Sequence, residues 1–129
     1  MNSSDLTEKI IGCAYRIYNV MGSGFLENVY EKCLAIEFEK SGLIAEFQKR
    51  VDVFYDGRNV GSYAADVLVD GKVIVELKAV RRLTVMHEVQ LVNYLAATKI
   101  PLGLLINFGE SKVDIKRKVL DFKHQTLSC

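Results

Sequence analysis

Apolar and polar positions alternate along this chain in two different rhythms, and the switch between them marks out the elements. Leu6, Ile10, Cys13, Ala14, Ile17 and Met21 recur at three- and four-residue steps, which predicts a helix over residues 5–21, with Ser4 or Asp5 able to cap its start. Gly22-Ser23-Gly24 breaks it. A second helix is expected over residues 26–40, with Leu26, Val29, Tyr30, Cys33, Leu34 and Phe38 on its apolar face and Ser41-Gly42 as its stop. The period then shortens. Strands are expected over residues 47–55, 60–69 and 72–79, separated by turn residues at 56–59 and at Asp70-Gly71. A helix over residues 86–98 carries Val89, Val92, Leu95 and Ala96, and after Pro101 the run Leu102-Gly103-Leu104-Leu105-Ile106 has the character of a strand buried on both faces. A last strand, residues 112–120, sets Val113, Ile115, Arg117 and Val119 against Lys112, Asp114, Lys116 and Lys118. Helix, helix, three strands, helix and further strands make an α/β fold in which a mixed β-sheet is flanked by α-helices.

Composition narrows the picture. With 129 residues, one proline and no Ser/Gly-rich stretch, the chain is expected to be a single domain over residues 1–129. Lys plus Arg is 17 and Asp plus Glu is 16, a formal charge of +1, so bulk positive charge cannot supply nucleic-acid affinity. Any anionic partner must be held by a local arrangement. No apolar run reaches the roughly 18 residues that would span a bilayer, and the opening Met1-Asn2-Ser3-Ser4-Asp5 lacks a signal peptide's basic and apolar regions. Three cysteines (Cys13, Cys33 and Cys129) include no C-x-x-C pair, which argues against a zinc site or a disulfide framework. The expectation is a cytoplasmic protein with no membrane association.

The chemistry collects in one hairpin. Asp66 lies in one expected strand, and Glu76 and Lys78 lie two residues apart in the next, so the latter pair leaves one face. A plain two-residue turn at Asp70-Gly71 would turn Asp66 away from Glu76. A three-residue loop, Val69-Asp70-Gly71 with Gly71 as a left-handed bulge, puts Asp66, Ile74, Glu76 and Lys78 on one face. The other face is then wholly apolar: Val67, Val69, Val73, Val75 and Leu77. A one-residue slip would mix the two sets, so the hydrophobic pattern selects the bulged loop. Two carboxylates and a lysine on one face suit a hard divalent cation, because Mg²⁺ and Mn²⁺ prefer oxygen ligands. The same residues could form a structural salt bridge of Lys78 with Asp66 or Glu76, and from the residues alone the two readings stand level.

Asp66 followed by Glu76-Leu77-Lys78 resembles the PD-(D/E)xK nuclease motif, with Ala65 where the motif's name has proline. Gln90-Leu91-Val92-Asn93-Tyr94 resembles the Q-x-x-x-Y motif of the exonuclease-like branch, and on a helix its two named side chains share a face. Gly24-Phe25-Leu26-Glu27-Asn28-Val29-Tyr30 is a full match to the motif of the GxxExxY family, and Ile106-Asn107-Phe108-Gly109 is also similar to that family. The resemblance runs from about Leu6 to Val119. It implies a restriction-endonuclease-like core and a magnesium- or manganese-dependent hydrolase acting on nucleic acid, DNA foremost. It also implies that Asp66, Glu76 and the Leu77 carbonyl ligate the metal, with Glu27 as a further acid bound directly or through water. Lys78 would position the attacking water or stabilise the transition state, and Gln90 and Tyr94 would orient the phosphate or the lysine. A homodimer or protein partner is the expected source of the rest of the DNA track.

Two rival readings compete with the nuclease: a catalytically silent module that binds nucleic acid or protein, and a purely structural network. Intact motif residues favour the enzyme. Several other residues have plain readings. His87 reads as an exposed helix-start residue, Arg81-Arg82 as phosphate contacts or a solvated loop, and Lys112, Lys116 and Lys118 as protection of a strand edge. Tyr15, Tyr18 and Tyr30 read as packing residues, and Gly24 as a tight turn before the second helix.

Overall fold

The structure, a computed structural model, describes residues 2–121; Cys129 lies outside them. Helices α1 (Ser3–Met21) and α2 (Glu27–Lys40) precede strands β1 (Ala45–Tyr55), β2 (Arg58–Val69) and β3 (Val73–Lys78). Helix α3 (Val85–Thr98) then leads to β4 (Leu102–Phe108) and β5 (Val113–Val119). The five strands form one sheet in the order β1-β2-β3-β4-β5, parallel only between β3 and β4 and antiparallel elsewhere. This is the α/β mixed sheet with flanking helices that the hydrophobic rhythm predicts, and it has a restriction-endonuclease-like architecture.

Alternation along the central strands divides the core. Val67, Val69, Val73, Val75, Leu77, Leu104 and Ile106 pack beneath α1 and α2, which bring Ile10, Cys13, Ile17, Tyr30, Leu34 and Phe38. Ile74, Leu105, Leu68 and Ala65 pack beneath α3. All seven residues of β4 are buried, as expected for a strand covered on both sides. Cys13 and Cys33 are free thiols.

Two helix faces differ from the sequence reading. Helix α3 docks through Leu91 and Leu95, whereas Val89 is 42% exposed. The cause lies in β4, where Gly103 leaves a hollow that Leu91 and Leu95 fill; a Cβ there would sit 2.9 Å from Leu91 Cδ1. Leu26 is not part of the α2 face. It occupies the extended N-cap position and is 75% exposed.

The hairpin loop also differs, by one residue. Val69 pairs with Val73, so the loop is Asp70-Gly71-Lys72 rather than Val69-Asp70-Gly71. Asp70 and Gly71 both take left-handed φ (53° and 66°), and the Lys72 N–H donates to Val69 O, leaving Lys72 as the extra residue. Asp70 is pinned there because its carboxylate accepts from Ile44 N at 2.8 Å while its own N–H donates to Ile44 O at 2.7 Å. The displacement changes the register by two, which keeps the face parity. Asp66 therefore falls opposite Glu76, one step beyond the last ladder pair, Val67 with Val75.

Candidate functional site

The site forms where β2 leaves β3. Ladder pairing between them ends at Val67 and Val75, so the Leu77 N–H on β3 faces no backbone carbonyl of β2. The Asp66 carboxylate takes that place, accepting from Leu77 N at 2.8 Å. On the other side of β2, the ladder to β1 skips Gln48, which has a left-handed φ of 53° and faces Asp66. The strand twists across this break, so Ala65 belongs to the core under α3 while Val67 belongs to the core under α1 and α2. Freed from β1, the Asp66 N–H turns to Glu76 Oε1 at 3.4 Å. Backbone irregularity thus places two carboxylates side by side.

Glu76 is only 8% exposed. Burial, then the neighbouring Asp66 charge, push its pKa up to about 8, with Lys78 opposing more weakly. A carboxyl held this way is poised to lose its proton when a cation arrives. Lys78 is half-buried on the same face and enters none of the ion pairs among the described residues, so the alternative reading, a salt bridge of Lys78 with Asp66 or Glu76, is not what holds the acids.

Helix α3 covers the pair. Tyr94 stacks on Tyr63 of β2 with ring centroids 3.7 Å apart and planes 19° from parallel. Burial raises the pKa of both phenols, and the Glu76 charge adds to it. Gln90 lies one turn earlier on α3 and is exposed. Tyr63 carries no sequence signal, since an aromatic residue three positions before an acid on a strand is ordinary. Its importance depends on the twist at Asp66.

The remaining motifs lock the frame. Tyr30 stacks on Phe108 at 4.2 Å, donates to Gly22 O at 2.7 Å and accepts from Phe25 N at 3.4 Å, tying the start of α2 to the end of β4. Gly24 has φ of 99°, the tight turn its sequence position suggested. Tyr18 donates to Gly109 O at 2.7 Å. Asn107 is buried, and its amide clamps both the N–H and the carbonyl of Val80 at 2.9 Å, fixing the segment that follows Lys78. Glu27 is exposed in the first turn of α2. Among the described residues no three His, Cys, Asp or Glu side chains converge as a metal-holding group, so the structure brings Asp66 and Glu76 together and leaves Glu27 outside the pair.

The plain readings hold in part. His87 is half-buried rather than exposed, and its Nδ1 accepts from Thr84 N in a capping box at the start of α3. Arg81 pairs with Glu110 at 3.0 Å on the surface, and Lys118 pairs with Glu88 of α3 at 2.6 Å.

The donor set fits a hard divalent cation: two carboxylates converge, one of them buried and raised in pKa, and every donor is oxygen. The model of the PD-(D/E)XK nuclease superfamily matches residues 4–118, and the chain belongs to that superfamily. Members of it generally use divalent metals. The crystal structure of SSO0001 is similar, with a TM-score of 0.54 at 18% identity. The likeness covers 94% of this chain and 61% of that one, and shows the fold. No curated protein matches the chain. Among the described residues no helix is long and apolar enough to cross a membrane.

Proposed function

We propose that this protein is a Mg²⁺- or Mn²⁺-dependent nuclease of the GxxExxY family that hydrolyses phosphodiester bonds in DNA. The observation that carries the reading is the convergence of Asp66 with the buried Glu76, whose pKa lies near 8, next to a half-buried lysine. Buried ionisable groups of this kind are seldom kept for stability and cluster at functional sites. Asp66, Glu76 and the Leu77 carbonyl would hold the cation, with Glu27 contributing through water. When bound, a divalent cation lowers the pKa of a coordinated water and offsets charge on the phosphate. Lys78 would position the attacking water or stabilise the charge that develops on the phosphate oxygens. Tyr94 and Gln90 share a face of α3 and orient the phosphate. Asp66 needs no further fixing, because the Leu77 N–H already aims its carboxylate.

The whole chain is proposed to act as one domain in the cytoplasm, with a second copy or a protein partner extending the DNA track. The test is cleavage of labelled single- and double-stranded DNA in Mn²⁺ by wild type, Glu76→Ala and Lys78→Ala. Loss of cleavage in both variants, with folding retained, is the expected result. Cleavage that is equal in all three would place the activity outside this site.

A further inference from the structure

The phenol of Tyr63 is an anomaly in an otherwise satisfied interior. Its oxygen is completely enclosed and has no hydrogen-bond partner, the sole buried side-chain polar atom in that condition among the described residues. An unmade hydrogen bond of this kind costs roughly 1–3 kcal/mol, and such an atom in a folded protein calls for a reason. The ring cannot easily turn away to find another partner. Tyr94 stacks on it at 3.7 Å, and both belong to the side of the sheet under α3, where Tyr63 packs against the cluster that contains Ile74. Glu76 stands two residues from Ile74 on the same strand, and so on the face of the sheet against which Tyr63 packs.

Glu76 has the complementary deficit. The donor given to its carboxylate is the Asp66 N–H, at a long 3.4 Å. A charged carboxylate has about four lone-pair positions, so with one oxygen on a cation the other has room for a strong donor. We propose that Tyr63 is a positioning residue for Glu76: its O–H donates to the Glu76 carboxylate when that carboxylate holds a divalent cation. The inference rests on the metal-site reading above and adds to it a residue outside the sequence motifs. Through Tyr94, the same side chain also fixes the helix that covers the site.

The test is isothermal titration calorimetry with Mn²⁺, together with thermal melting in chelator, on wild type, Tyr63→Phe, Tyr63→Leu and Tyr55→Phe. Tyr55 is an exposed phenol on the β1–β2 hairpin and serves as the control. Hydrogen bonds to charged groups are worth enough that losing one weakens binding about tenfold or more. Tyr63→Phe is therefore expected to raise the Mn²⁺ dissociation constant about tenfold while melting in chelator at or above the wild-type temperature, because an unpartnered hydroxyl has gone. Tyr63→Leu removes the stack as well and should melt lower. Tyr55→Phe should match wild type in both. If wild type binds Mn²⁺ and Tyr63→Phe binds it equally well, the positioning role is wrong and the metal site stands. If wild type binds no Mn²⁺, the metal site and this role fall together.

Discussion

Glu76→Gln should stabilise the metal-free protein, and by an amount that grows with pH. Glu76 titrates near pH 8 in the fold against an ordinary 4.5. Between those values the native state keeps a proton that the unfolded chain has released, so stability falls as pH rises. With a difference of about 1.4 kcal/mol per pH unit, the linkage amounts to about 1 kcal/mol at pH 5 and about 3 kcal/mol at pH 7. Above pH 9 it levels off near 5 kcal/mol. A glutamine keeps the shape and the acceptor for the Asp66 N–H without the charge. Urea unfolding of both proteins in chelator should show the variant's advantage widening by about 2–3 kcal/mol between pH 5 and pH 7. Saturating Mn²⁺ should favour wild type instead, since ligand binding stabilises only the state that binds. A difference that does not change with pH, or a variant less stable at pH 7, would refute the claim that burial and Asp66 hold Glu76 in its neutral form.

Other consequences follow from the frame around the pair. Asn107→Ala removes both bonds to Val80 and should cost roughly 2–3 kcal/mol in urea unfolding, with faster amide exchange at Val80. Gly103→Ala drives a Cβ to within 2.9 Å of Leu91 Cδ1 and 3.1 Å of Leu95 Cδ2. Because both leucines are fully buried, the expected loss is about 1–2 kcal/mol, read as a lower melting temperature. Tyr30→Phe keeps the stack on Phe108 but loses the bond to Gly22 O, for about 1 kcal/mol in the same assay.

Much of this architecture was legible because each strand face has one destination. Val67, Val69, Val73, Val75 and Leu77 fit only under helices, and keeping them together forces Asp66 and Glu76 onto the opposite face whichever three-residue loop is used. The hydrophobic pattern therefore determines the face but not which three residues form the loop. The choice between the loops depends on Asp70 bonding to Ile44, a contact 26 residues away that no local pattern encodes. The docking face of α3 is legible at Leu95 but not at Leu91, for a related reason. Val89, Val92 and Leu95 have helical spacing, but the hollow at Gly103 selects Leu91. Tyr63 was invisible because its value arises from a strand twist at Gln48 and Asp66, and Asn107 because its partner is backbone. Glu27 was legible as a motif residue, while its separation from the converged pair is a matter of three-dimensional placement.

The central claim is that Asp66 and Glu76 form a cation site, and proton release on Mn²⁺ binding addresses it most directly. Calorimetric titrations at pH 6.5 in buffers of different ionisation enthalpy count the protons expelled per ion. A carboxyl that titrates near pH 8 is almost wholly protonated there, so the account predicts saturable binding with about one proton released. Glu76→Gln should weaken the binding and abolish the release. Binding without proton release, or binding that Glu76→Gln leaves unchanged, would contradict the account.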